Sequence, residues 1–123
     1  IRLCTPTTDA IRLPTVLKNA SGFIYYVSIS GITGTKTPDF TNVAEAIKFL
    51  KSHSDLPIAV GFGIKTPENA KAVAANAEGT VVGSSIVEII QKCNDAGIAG
   101  KDLTAKVLSY VEELSISIKE ARK

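Results

Sequence analysis

Short runs of apolar residues alternate along the chain with longer stretches in which apolar positions recur at helical spacing. The runs are rich in Val, Ile, Tyr and Phe and are bounded by turn-forming residues. They predict four strands, at Ile1–Cys4, Phe23–Ser28, Ile58–Phe62 and Thr80–Val82. Each run is apolar at consecutive positions, a pattern expected of strands that are covered on both faces.

Five helices are predicted between and after these strands, over Asp9–Asn19, Asn42–Ser52, Thr66–Asn76, Ser85–Cys93 and Asp102–Ala121. Thr41 or Asn42 is suited to cap the second helix, and Thr66 followed by Pro67 begins the third. A strand–helix order repeated four times predicts an α/β fold with a parallel sheet and right-handed crossovers. Four such units form either a small open sheet or half of an eight-stranded barrel.

Composition places this chain of 123 residues among single α/β domains, with an apolar share of 45%. Lys and Arg total 14 against 12 Asp and Glu, and this scattered surplus is no nucleic-acid footprint. Two distant cysteines, Cys4 and Cys93, have no metal-ligand spacing, and free thiols in a reducing cytoplasm are expected. No apolar run approaches the roughly 18 residues of a membrane span.

Glycines concentrate where the predicted strands end. Gly34 lies in a long loop, 29–40, after the second strand, Gly63 follows the third, and Gly83 follows the fourth and opens a helix. Ligands of parallel α/β folds bind at the carboxyl ends of the strands, and glycine turns with a helix N-terminus suit a phosphate monoester. Tight βα turns without a ligand explain the same glycines equally well.

Candidates for acid–base chemistry are few. His53, the one histidine, falls at a polar helix end and is expected to be exposed. Asp9 and Asp39 read first as cap or turn residues, and Cys4 reads as a small packed residue. No pair of carboxylates and no Ser–His or Cys–His set is placed for catalysis. The sequence therefore predicts a binding site without its own catalytic groups.

Three motifs resemble a known family in order and in separation. Residues Ser21–Gly34, reading SGFIYYVSISGITG, resemble the sixth strand and following loop of the tryptophan synthase alpha chain. Pro57–Ile64, reading PIAVGFGI, resembles its seventh strand, and Gly79–Val87, reading GTVVGSSIV, its eighth. The first strand, with Cys4 and Pro6, is similar to the family's fifth.

The resemblance implies that residues 1–123 are the C-terminal half of a TIM (β/α)8 barrel, four βα units plus a C-terminal helix. The whole family member is a lyase that cleaves indole-3-glycerol phosphate to indole and glyceraldehyde 3-phosphate by a retro-aldol reaction. It uses neither a metal nor a cofactor, and its indole passes to a beta subunit in tryptophan biosynthesis. A cytoplasmic location and no contact with nucleic acid or membrane are expected.

The resemblance also assigns roles to particular residues. Phosphate is bound through backbone N–H groups, a tyrosine on the sixth strand belongs to the active site, an apolar residue lines the indole pocket, and a loop threonine closes over the substrate. The matching residues are Gly34, Gly63, Gly83 and Ser84 for phosphate, Tyr25 for the active-site tyrosine, Leu3 for the indole pocket, and Thr33 for the loop.

The chain departs from the family pattern in two ways. Ile29 stands where some members carry an Arg in the long loop. The general acid–base Glu and its partner Asp belong to the second and third strands, which have no counterpart here. Because the sequence opens inside a strand, a preceding part is expected to have been removed or to lie on another polypeptide. The chain alone is expected to be inactive.

Two other hypotheses remain open. Exposed strand edges favour a non-catalytic phosphate-binding half barrel that associates with a second copy. A different phosphate-binding barrel, related to indole-glycerol-phosphate synthase or a phosphoribosyl isomerase, fits less well. Those families favour catalytic groups on strands that here carry Tyr25 and the Gly61–Gly63 turn.

Overall fold

A computed structural model of the chain describes residues 1–28, 40–61 and 63–122. In this part four short strands form one parallel sheet in chain order, β1-β2-β3-β4. Their bounds are β1 Arg2–Cys4, β2 Ile24–Val27, β3 Ile58–Gly61 and β4 Gly79–Val81. The predicted strands are therefore confirmed, with ends that differ by at most one residue.

Five helices follow the strands: α1 Leu13–Leu17, α2 Phe40–Lys51, α3 Pro67–Ala74, α4 Ser84–Asp95 and α5 Gly100–Ala121. Their apolar faces pack on one side of the sheet, where Ile24, Ile58 and Val60 are almost fully buried. The long α5 runs along α3 and adds Leu114 to this core. The alternating βα order and the parallel sheet agree with the predicted fold class.

The helix starts show which local signals were decisive. Thr66 caps α3 as predicted, since its side-chain oxygen accepts a hydrogen bond from the Asn69 N–H. The prediction that Thr41 or Asn42 caps α2 was wrong, because the helix has already begun at Phe40. Both residues lie inside its first turn.

The predicted helix over Asp9–Asn19 was too long. The Asp9 carboxylate accepts hydrogen bonds from the N–H groups of Ile11 and Arg12, at 3.0 and 2.8 Å, and this folds the segment into a turn. The helix begins at Leu13, with Pro14 in the first turn where its missing N–H is tolerated. It ends before Asn19, whose φ of 62° is left-handed.

Burial differs between the two faces of the sheet and alternates along β2, so the expectation that both faces are covered is not met within this chain. The helices cover the face that carries Cys4, Tyr26 and Val60. On the other face, Leu3 is 60% exposed and Val81 is 38% exposed. We call this second side, with Leu3, Tyr25, Val27, Ala59, Gly61, Gly79 and Val81, the open face.

Polar contacts join the segments at the N-terminal ends of β3 and β4 to the ends of α2 and α5. Lys51 Nζ pairs with Glu78 Oε1 at 2.6 Å, and Glu78 Oε2 accepts a 2.9 Å bond from the Ile58 N–H. The Arg122 guanidinium donates to the carbonyls of Ala77 and Glu78. These bonds tie the end of α5 to the turn that precedes β4.

Within the described ranges, no helix combines the length and apolar character that crossing a membrane requires. Among the same residues, no three His, Cys, Asp or Glu side chains are grouped to hold a metal ion.

Candidate functional site

Two of the predicted phosphate-binding turns are neighbours at the carboxyl edge of the sheet. Gly61 pairs with Val81 in the register of β3 and β4, and Gly63 and Gly83 each lie two residues further along. Gly63 has a φ of 73°, a left-handed conformation that glycine adopts without a steric penalty. Parallel neighbours are roughly 5 Å apart, so both turns border one small region.

The N-terminus of α4 has the properties that an anion requires. Gly83 is its N-cap, and no side chain of the described residues makes a capping hydrogen bond there. The first turn of α4 contains no acidic residue, whereas α3 has both the Thr66 cap and Glu68. Gly83 and Ser84 are exposed, so the positive end of the helix dipole faces solvent beside the Gly63 turn.

Hydrogen bonds connect the β3–α3 turn to the two C-terminal helices. Ser85, the second residue of α4, is buried and its Oγ donates to the Ile64 carbonyl at 3.3 Å. The Tyr110 hydroxyl on α5 donates to the next carbonyl, that of Lys65, at 2.9 Å. The two turns of the candidate phosphate site are therefore joined by side chains as well as by the sheet.

The predicted indole-pocket residue Leu3 and the predicted active-site tyrosine Tyr25 share the open face. Leu3 on β1 and Tyr25 on β2 are register partners, with Leu3 exposed and Tyr25 half-buried. The Tyr25 ring extends over Gly61 on the neighbouring strand, and Gly61 is buried beneath it. An apolar wall with one phenol therefore leads along the sheet towards the glycine turns.

Other predicted residues are either outside the described ranges or distant from this arrangement. Gly34, Thr33, Ile29 and Asp39 lie outside the described residues. His53 is exposed as expected, with Nδ1 2.9 Å from the Phe49 carbonyl oxygen.

The remaining reactive residues also have structural roles. Asp9 is a turn residue, as its two backbone contacts show. Cys4 and Cys93 are buried free thiols. Burial raises the pKa of the Cys4 thiol, so it is a poor nucleophile, in agreement with the packed role predicted for it.

A cleft of about 480 Å³ lies on the helix-covered side, between the β1–α1 turn and α2. Its lining includes Thr5, Thr8, Tyr26 and Glu45. None of the described residues assigned to phosphate or to the active site lines it. It is therefore separate from the described part of the candidate site.

Sequence reasoning missed three contacts that shape the site: that of Gly61 with Tyr25, and the hydrogen bonds of Ser85 and Tyr110. Gly61 and Ser85 lie inside recognised motifs, so a search for a small residue beside Tyr25 or for a hydroxyl beside Gly83 would have included them. Tyr110 reads as part of the apolar stripe of α5. Its partner Lys65 is 45 residues away, and no local pattern indicates that contact.

Comparison with known proteins points to one family. Residues 1–119 match the family model described as tryptophan synthase alpha chain. The tryptophan synthase alpha chain from Legionella pneumophila is 33% identical, with a TM-score of 0.76 over 97% of this chain and 42% of that chain. A mutant tryptophan synthase alpha-subunit from Pyrococcus furiosus is 30% identical, with a TM-score of 0.68 over 91% and 42%.

A third structure, tryptophan synthase from Mycobacterium tuberculosis, is 26% identical, with a TM-score of 0.75 over 94% of this chain and 40% of that chain. The chain thus spans about two fifths of the length of these relatives. Its parallel sheet of four strands corresponds to the C-terminal half of their TIM barrel. On the fold and on the match over residues 1–119, the chain belongs to the tryptophan synthase alpha chain family.

Proposed function

We propose that this chain supplies the phosphate-binding half of an enzyme of tryptophan biosynthesis. The reaction is the retro-aldol cleavage of indole-3-glycerol phosphate to indole and glyceraldehyde 3-phosphate. One observation carries the proposal: in a chain of this family, the N-terminus of α4, which has glycine as its N-cap, lies beside the left-handed Gly63 turn. Backbone N–H groups at such a position bind phosphate without a Lys or Arg side chain.

The proposed roles divide along the sheet. The N–H groups of Gly63, Gly83 and Ser84, joined by Gly34, hold the phosphate. Tyr25 and Leu3 line the indole pocket on the open face, and Thr33 belongs to the loop that closes over the substrate. The acid–base Glu and its partner Asp come from strands that this chain does not contain, so binding and catalysis are divided between two halves of the barrel.

The proposal extends to location and partner. A soluble biosynthetic lyase of this kind acts in the cytoplasm, needs no cofactor and delivers indole to a beta subunit. Co-purification of a beta subunit with the protein from its natural source would support that partnership. A protein that purifies without a beta subunit at micromolar concentration would count against that partnership.

The test of the activity is an indole-release assay on protein purified from its natural source, with the 123-residue chain assayed beside it. We expect indole from indole-3-glycerol phosphate in the first sample and none in the second. An intact mass in denaturant identifies which polypeptides each sample contains. Failure of the natural-source protein to release indole would overturn the proposal.

The open face favours a second candidate, a phosphate-binding half barrel that pairs with another copy of itself. A two-fold axis along the barrel would place β4 of one copy beside β1 of the other and bury Ile1, Leu3 and Val81, which are now exposed. Light scattering would then give a dimer, and Leu3→Glu would return it to 13.0 kDa. A stable monomer before the substitution excludes this candidate.

A further inference from the structure

We infer that Ser85 and Tyr110 are positioning residues, which hold the two glycine turns of the phosphate site in register. This inference rests on the proposed function, because it concerns the site that Gly63, Gly83 and Ser84 are proposed to form. It adds two side chains that do not touch phosphate and act through the backbone of the β3–α3 turn.

The geometry of the two bonds supports this role. Ser85 Oγ, on a side chain that is only 8% exposed, donates to the Ile64 carbonyl at 3.3 Å. The Tyr110 hydroxyl donates to the adjacent Lys65 carbonyl at 2.9 Å. Two consecutive peptide groups of one turn are therefore held from two different helices.

Planarity of the peptide carries this restraint along the turn. A carbonyl fixed by a hydrogen bond fixes the plane of its peptide, so Ser85 orients the Ile64–Lys65 peptide and Tyr110 orients the Lys65–Thr66 peptide, directly after Gly63. The turn begins at Gly63, whose backbone has more conformational freedom than that of any other residue type. A turn that is already ordered loses less freedom when it binds an anion, so these bonds raise affinity without contacting the ligand.

Ser85 also couples the turn to the helix that supplies the other half of the site. It follows Ser84 directly, so its bond to the Ile64 carbonyl sets the distance between the start of α4 and the turn. Tyr110 adds a second anchor from α5, which packs along α3 through apolar contacts of its own. Removal of the hydroxyl alone therefore leaves that packing in place.

The experiment titrates the ¹⁵N-labelled chain with glycerol 3-phosphate and follows the amide shifts of Gly63, Gly83 and Ser84. Glycerol serves as the uncharged comparison ligand. We expect Tyr110→Phe and Ser85→Ala each to weaken glycerol 3-phosphate binding about fivefold, the effect of one neutral hydrogen bond. Ser85→Thr, which keeps the hydroxyl, should restore most of the affinity.

Two control variants separate positioning from general stability. Ser52→Ala removes a hydroxyl that donates to the Phe49 carbonyl at 2.7 Å, at the opposite end of the sheet. Tyr26→Phe removes a phenol hydroxyl on the helix-covered face. Both should leave glycerol 3-phosphate affinity unchanged, even where they lower the unfolding midpoint as much as the test variants do.

The outcomes are distinct. If the wild-type chain does not bind glycerol 3-phosphate, the proposed phosphate site itself is contradicted. A wild-type chain that binds, with Tyr110→Phe and Ser85→Ala binding equally well, overturns the positioning role and leaves the site intact. If Ser85→Ala fails to fold, Tyr110→Phe decides alone, because its hydroxyl bond is at the surface.

Discussion

The phenol ring of Tyr25 lies directly over the Cα of Gly61 on the next strand. A Cβ atom built on Gly61 would lie 2.5 Å from the Tyr25 Cζ and closer still to the hydroxyl oxygen, so a side chain at this position would require the Tyr25 ring to move. Gly61 therefore has no side chain because the Tyr25 ring occupies that space on the open face. The hydroxyl of Tyr25 is held over β3, towards the turn at Gly63.

Gly61→Ala tests this relationship. The methyl group should push the ring off β3, at a cost of about 1 kcal/mol in the free energy of unfolding, because Tyr25 is half-buried and can rotate towards solvent. In a Tyr25→Ala background the same substitution should cost almost nothing. Urea unfolding of the four proteins measures this coupling, and an equal cost in both backgrounds would contradict it.

Gly83→Asp separates charge from shape at the N-terminus of α4. No heavy atom of the described residues lies within 4 Å of a Cβ built on Gly83, so this part of the fold accommodates the new side chain. Its carboxylate would occupy the place proposed for phosphate, and glycerol 3-phosphate affinity should fall at least about tenfold, or about 1.4 kcal/mol. Gly83→Asn has the same shape without the charge and should lose much less. Unchanged affinity in Gly83→Asp would remove Gly83 from the site.

Glu78 should make stability depend on acid pH. Burial raises the pKa of its carboxyl, but the hydrogen bonds from Lys51 and the Ile58 N–H and the Lys51 charge outweigh burial and hold the pKa below its ordinary value of 4.5. The unfolded chain then binds the proton more readily, so this contribution is present above about pH 4.5 and is lost as the pH falls through the lowered pKa.

The measurement compares wild type with Glu78→Gln by urea unfolding from pH 7 to pH 3. At pH 7 the variant should be less stable, by under about 1 kcal/mol because the ion pair is half-exposed. The difference should shrink below pH 4.5. Glu120→Gln, which breaks the 3.3 Å pair with Lys71 at the surface, is the matched control. A difference for Glu78→Gln that is constant with pH would contradict the prediction.

Replacing Thr80 with valine should make the protein more stable. Among the described residues, its buried Oγ1 has no hydrogen-bond partner. Thr80→Val keeps the shape and removes an unpaired hydroxyl, so the free energy of unfolding should rise by about 1 kcal/mol. Thr66→Val is the matched contrast, because it removes the cap of α3 and should lower stability by about 1 kcal/mol. Thermal unfolding of the two variants should therefore shift in opposite directions.

Local patterns predicted the elements well where neighbouring residues decide the structure. The apolar runs located all four strands, and the Thr66–Pro67 pair marked the start of α3. The same reasoning failed over Asp9–Asn19, where a side chain bonded to nearby N–H groups formed a turn in place of a helix. Helical spacing does not reveal that competition, since both conformations suit the same residues.

The sequence by itself determined the order of strands and helices, the parallel α/β class and the position of the glycine turns, because these depend on apolar spacing and turn chemistry over a few residues. Only the tertiary structure decided which sheet face the helices cover, that Tyr25 lies over Gly61, and that Ser85 and Tyr110 hold the β3–α3 turn. Those contacts join residues 21 to 45 positions apart, and they form only when strand register and helix packing bring such distant residues together.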